Sequence, residues 1–257
     1  MTPYLPLLLL GAIAVAAPAA GPAPSGTPWP RHVIDGAGRG SDGTKLADVN
    51  GDGWLDVTTG WEEEGETRVY LNPGPRGPVR QAWPKVVVGR TPDVEDAVFA
   101  DLDGDGVPDV VSSSEGRTLR MYVHWAPRER NRILDAAAWR QQELPAAAGV
   151  TCWMFAEPLQ FDGRHGIDLI AGSKRGPDGQ KAWLGWFEAP AQARDLAAWK
   201  WHPLAEAGWI MSIELVDMDG DGDRDLLYSD RKGPTRGIHW LENPAAEAIA
   251  RGVAPIR

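Results

Sequence analysis

DVNGDGWLD (residues 48–56), DLDGDGVPD (101–109) and DMDGDGDRD (217–225) are one nine-residue pattern written three times, and QFDGRHGID (160–168) is a fourth copy that has lost the acidic residues at its first and fifth positions. The copies start at 48, 101, 160 and 217, so the chain repeats every 53 to 59 residues. An apolar stretch precedes each copy (46–47, 97–100, 155–159, 212–216), and a strand-forming run follows it (57–59, 110–112, 169–171, 226–228). Next comes an aromatic segment that closes on proline: Val69 to Pro73, His124 to Pro127, Gly185 to Pro190 and His239 to Pro244. A segment opening on Trp83, Trp139 or Trp199 leads into the following unit, and Trp29-Pro30-Arg31-His32 has the same look ahead of the first.

Each unit therefore holds four short strands separated by Gly, Pro and Asp turns. Strand-only repeats of this length predict an all-β propeller of about four four-stranded blades over residues 29–244. Only 131–147 and 191–198 tolerate helix, and both fall between strands as insertions. Residues 30–35 read as an outer strand without a blade, and the last unit ends at Pro244 without one. The expectation is that the N-terminal strand closes the last blade. The alternative is a partial copy of a larger propeller.

Composition agrees. Of 257 residues, 30 are Gly and 22 Pro, which argues against a helical bundle. The net charge of −10 argues against a nucleic-acid binder, which needs a basic face. A single cysteine, Cys152, excludes an internal disulfide framework and a multi-cysteine zinc site. Residues 5–17, LPLLLLGAIAVAA, followed by Ala17-Pro18-Ala19, read as a secretory signal over 1–20. A low-complexity linker (21–28) follows, and a tail without blade signature covers 245–257. The mature chain is expected outside the cytoplasm, periplasmic or extracellular, with no membrane span.

In the nine-residue pattern, oxygen ligands at positions 1, 3 and 5 with Gly at 4 and 6 wrap a tight loop around a hard cation. Position 7 offers a backbone carbonyl and position 9 a carboxylate. An all-oxygen donor set suits Ca²⁺ better than Zn²⁺, copper or Mg²⁺. An EF-hand needs a bidentate Glu at position 12, where this chain has Thr59, Ser112 and Tyr228. The three intact loops hold 12 of the 36 acidic residues, and the 24 that remain nearly balance 26 basic ones. So much negative charge in three turns is unfavourable without cations. About three Ca²⁺ sites are expected, and none in the third unit, where Gln160 and Arg164 replace carboxylates.

These residues resemble the FG-GAP/VCBS repeats, the calcium-loop blades also found in integrin α-chain propellers. The resemblance implies a secreted or surface propeller with structural Ca²⁺ between the first two strands of a blade. It implies as ligands Asp48, Asn50, Asp52 and Asp56; Asp101, Asp103, Asp105 and Asp109; and Asp217, Asp219, Asp221 and Asp225. Trp54, Val107 and Asp223 stand at the seventh, carbonyl position.

No Gly-x-Ser-x-Gly, His-Glu-x-x-His or phosphate loop is present. His32, His124, His202 and His239 recur beside Trp as strand-packing residues, and Cys152 reads as a buried thiol. The segments that enter the inner strands surround a propeller's channel. They supply a candidate ligand rim: Asp42 and Lys45; Asp93, Glu95 and Asp96; Trp153, Met154 and Glu157; and Trp209, Met211 and Glu214. Trp faces that stack on sugar rings and carboxylates that bind hydroxyls would make this a glycan site. Packing between blades is the plainer reading of the same Met and Trp residues. The sequence thus reads as a calcium-binding module for a glycan or an extracellular protein. The alternatives are a glycan-active enzyme of lyase or sugar-dehydratase type, by fold analogy alone, and a truncated copy that has lost its function.

Overall fold

The structure, a computed structural model, describes Gly26 and residues 29–244. The signal segment, the rest of the linker and the tail lie outside the described residues. The chain divides into two units, Met1–His32 and Val33–Arg257. Of the first, the described residues 29–32 carry no strand.

The second unit is a four-bladed propeller of antiparallel sheets. Blade 1 is β1 (Ser41–Ala47), β2 (Asp56–Trp61), β3 (Glu66–Tyr70) and β4 (Lys85–Arg90). Blade 2 is β5 (Val94–Ala100), β6 (Asp109–Ser114), β7 (Arg120–Trp125) and β8 (Arg140–Glu143). Blade 3 is β9 (Cys152–Leu159), β10 (Asp168–Lys174), β11 (Ala182–Glu188) and β12 (Lys200–Ala207). Blade 4 is β13 (Ile210–Val216), β14 (Asp225–Asp230) and β15 (Gly237–Leu241). The only helical structure in the two helix-tolerant insertions is short 3₁₀ turns, at Arg130–Arg132, Ala136–Ala138, Pro145–Ala147 and Leu196–Ala198, and 131–147 also holds strand β8.

The core lies between successive blades. Val98, Val111, Met121, Trp125, Trp153 and Phe187 are among the side chains that join blade 2 to blade 3. Val69, Val86, Phe99 and Val110 join blade 1 to blade 2, and Ile170, Leu184, Ile210 and Tyr228 join blade 3 to blade 4. The Trp that opens each outer-strand segment pins the chain before it. Its indole N–H donates to a carbonyl upstream: Trp83 to Val79, Trp139 to Ile133 and Trp199 to Ala193.

The expected N-terminal closure is not what forms. Among the described residues blade 4 has three strands, and residues 29–35 form none. The segment from Val33 on lies against blade 1 instead. Ile34 accepts from Trp83 N–H and packs with Trp83 beside Val57, Trp61 and Tyr70. Asp35 accepts from Arg68 (3.1 Å), Tyr70 (2.9 Å) and Lys85 (2.5 Å). Those donors hold its pKa down to about 2 against the opposing effect of its burial. An anion locked by three donors outweighs a short outer-strand signature. Among the described residues strand β15 is an edge, with Ile238 81% exposed.

Candidate functional site

Each nine-residue loop joins the end of an inner strand to the second strand, so all four loops share one face of the propeller. In the first, Asp48 accepts from the N–H groups of Gly51 (2.7 Å), Asp52 (3.0 Å) and Gly53 (2.8 Å). Asp52 accepts from Trp54 N–H at 2.9 Å. Gly51 and Gly53 have φ of 76° and 88°, which lets the backbone curl inside the carboxylates. In the second loop one oxygen each of Asp101, Asp103 and Asp105 lies within 4.8 Å of the others, and in the fourth the same holds for Asp217, Asp219 and Asp225. Asp101 Oδ1, Asp109 Oδ2 and Asp223 Oδ1 are buried without a hydrogen-bond partner. Converging carboxylates with orphaned oxygens and an all-oxygen donor set fit a hard cation such as Ca²⁺. The first loop, with Asn50 in the third position, gathers no three carboxylates in this way. In the second, Arg194 pairs with Asp103 (2.6 Å) and Arg128 with Asp105 (3.1 Å).

The ninth residue has a role the sequence reading missed. Asp56 accepts from Val49 N–H (3.0 Å) and Asn72 N–H (2.8 Å). Asp168 accepts from Phe161 (2.9 Å) and Ala189 (2.8 Å), and Asp225 from Met218 (2.9 Å) and Asn243 (2.7 Å). Asp109 accepts from Ala126 at 2.8 Å. One buried carboxylate thus ties the loop's second residue to the end of the third strand. This explains why the third unit keeps Asp168 while losing two other acids. There Gln160 does the remaining work: its Nε2 donates to the carbonyls of Arg164 and Gly166, and its Oε1 accepts from Gly163 N–H. Burial pushes the pKa of Asp56 and Asp168 up to about 6 and that of Asp109 to about 8, against the amides that favour the charged form.

The rim residues separate into three groups. Lys45, Glu157 and Glu214 stand at equivalent positions of β1, β9 and β13, two residues before the strand ends. Lys45 bonds Glu157, which links blade 1 to blade 3 across the axis, and its amine also feels Asp96 and Glu214. Asp96 lies on the same face of β5, fully buried, and neither oxygen has a hydrogen-bond partner. Burial raises its pKa to about 7, with Lys45 opposing. Gly43, at φ 52° beside a bulge of β1, lies so close that a Cβ there would meet the Asp96 carboxyl. Gly43→Ala is therefore expected to lower stability by about 1–2 kcal/mol from the left-handed backbone alone, plus the cost of moving Asp96. Chemical denaturation measures it.

The second group lies at the opposite face, where the inner strands begin. Glu95 is the bulged residue of β5, and it sits among Lys174, Asp42 and Glu62. Trp209 carries three cations around its indole: Lys232 at 4.1 Å, Lys174 at 4.6 Å and Arg231 at 5.0 Å. The third group is not a rim. Trp153 is fully buried, packed on Phe187 (5.3 Å) and Trp201 (4.9 Å), with its N–H on Ala147 O. Trp153 stands seven residues before its loop, the position that Ile210 holds before the fourth loop, and both face the core. Asp93 likewise caps the 115–118 turn, accepting from Thr118 N–H and Oγ.

The remaining titratable candidates are structural. His124 is fully buried between Ser112 and the Val88 carbonyl, with its pKa pushed down to about 4 by burial. Cys152 is buried and its thiol is pushed up to about 11 by burial, so no thiolate forms at neutral pH.

A propeller in which three of four blades carry an acidic loop between their first two strands defines the class of protein. Residues 48–112 match the family of FG-GAP-like repeats, so this chain carries that repeat. No curated protein matches the chain. Among solved structures, the V. cholerae biofilm matrix protein Bap1 aligns with 84% of this chain at 16% identity and a TM-score of 0.37. This chain spans about a third of that one, 32% of its length.

Proposed function

We propose that this protein is a calcium-stabilised binding module that works outside the cytoplasm on a glycan or protein ligand. The convergence of Asp101, Asp103 and Asp105, and of Asp217, Asp219 and Asp225, around orphaned buried oxygens carries the reading. Asp48, Asn50 and Asp52 complete the set in blade 1. The ion supplies charge neutralisation to loops that otherwise repel themselves open. The apolar run at 5–17 supports export, and among the described residues no helix is long and apolar enough to cross a membrane. The face where the inner strands begin offers the ligand surface. Asp96, closed off from solvent, is not placed to act on a substrate.

Extracellular Ca²⁺ modules bind at about 10⁻⁴–10⁻³ M. At a tenfold excess each site adds about 1.4 kcal/mol, so three add about 4 kcal/mol. At about 2–4 °C per kcal/mol for a domain of this size, chelation is expected to lower Tm by roughly 8–16 °C. An unchanged melt in chelator contradicts the reading.

A further inference from the structure

Six residues after each clamping aspartate, the chain leaves the second strand at the mouth opposite the acidic loops. The residues at that step are Glu62, Glu115, Lys174 and Arg231, one from each blade. The mouth is thus split by charge. Blades 1 and 2 present Asp42, Glu62 and Glu95, while blades 3 and 4 present Lys174, Arg231 and Lys232 around Trp209.

The basic half is built rather than scattered. Asp230 accepts from the N–H groups of Gly208 (2.9 Å), Trp209 (2.8 Å) and Lys232 (3.3 Å) and from Thr235 Oγ (2.6 Å). Arg231 N–H returns a bond to the Trp209 carbonyl at 2.8 Å. Gly208 lies against the Lys232 carbonyl so closely that no side chain fits between them. These bonds clamp the turn that enters β13 to the turn that leaves β14, and they fix where the cations stand. Lys174 pairs with Glu115, but the side chains of Arg231 and Lys232 have no carboxylate partner among the described residues. The Trp209 indole N–H is enclosed with no acceptor. Two cations, Arg231 and Lys232, held over one ring without a carboxylate partner make a place for an anion from outside.

The other half of the mouth narrows the choice. Asp42, Glu62 and Glu95 accept hydrogen bonds from hydroxyls and repel a ligand whose negative charges are spread along its length, such as an acidic peptide. We propose that this mouth binds an acidic saccharide, with a uronate carboxylate on Arg231 and Lys232 beside Trp209 and ring hydroxyls on the carboxylates of blades 1 and 2. This rests on reading the protein as a binding module and names its ligand class.

The test is calorimetric titration of the protein in millimolar calcium with three probes: a neutral oligosaccharide ended by one glucuronate, the methyl ester of that oligosaccharide, and polyglutamate. The expected result is binding of the free uronate alone. That binding should weaken at least tenfold in the R231Q/K232Q variant and between low and half-molar salt, with Tm unchanged because both side chains are exposed. Equal binding of the ester, a preference for polyglutamate, or full affinity in the variant overturns the uronate site and leaves the binding-module reading standing. Binding of none of the three overturns the uronate site and counts against the module reading as well.

Discussion

Asp168→Ala is expected to cost about 4 kcal/mol, and to cost it equally with calcium and with chelator. The carboxylate takes the N–H groups of Phe161 and Ala189 in a fully buried position. Alanine leaves both amides without an acceptor, at about 1–3 kcal/mol each. Because its own loop holds Gln160 and Arg164 in place of carboxylates, Asp168 isolates the clamp from the metal. Asp103→Ala is the counterpart. Asp103 is one of three converging carboxylates of its loop, so on the calcium reading its loss should appear mainly in calcium and leave in chelator only the smaller cost of its pair with Arg194. Urea unfolding of both variants under both conditions checks the pair. A drop for Asp168→Ala that disappears in chelator contradicts the clamp.

The second large effect is on pH dependence. Asp96 is fully buried on β5, faces Lys45 from β1 and Glu157 from β9, and has its pKa raised to about 7 chiefly by burial. In the unfolded chain an aspartate titrates near 3.9. Between about pH 4 and pH 7 the folded state therefore holds a proton that the unfolded state has released. Stability falls as pH rises through that window, by up to about 4 kcal/mol at 1.36 kcal/mol per pH unit. Asp96→Asn removes the ionisation while keeping the shape. The variant should match the parent near pH 4 and exceed it by several kcal/mol at pH 8. Parallel stability profiles for the two proteins contradict this account of Asp96.

Much of this architecture is legible in the order of the residues. The Asp and Gly spacing marks the loops because a turn that curls its backbone inside carboxylates admits few other residues, and the repeat period marks the blades. The recurring Trp marks the outer strands because one indole bond serves the same purpose three times. What escapes such a reading is set by contacts between distant segments. Residues 30–35 carry an outer-strand signature, yet Asp35 finds Arg68, Tyr70 and Lys85 and holds the segment on blade 1. Trp153 and Trp209 look alike in sequence, but they stand seven and eight residues before their loops, so one enters the core, as Ile210 does in blade 4, while the other meets cations from two other turns. Those cations were recoverable. Counting six residues from each ninth-position aspartate lines up Glu62, Glu115, Lys174 and Arg231, a comparison that periodicity alone does not suggest.

Titration of the chelator-stripped protein with Ca²⁺ by calorimetry tests the central claim most directly. The account predicts about three sites per chain, one fewer in a variant that removes Asp103 and Asp105 together, and the same number as the parent when Gln160 is replaced by Ala. Absence of Ca²⁺ binding, or a stoichiometry indifferent to the loss of Asp103 and Asp105, contradicts it.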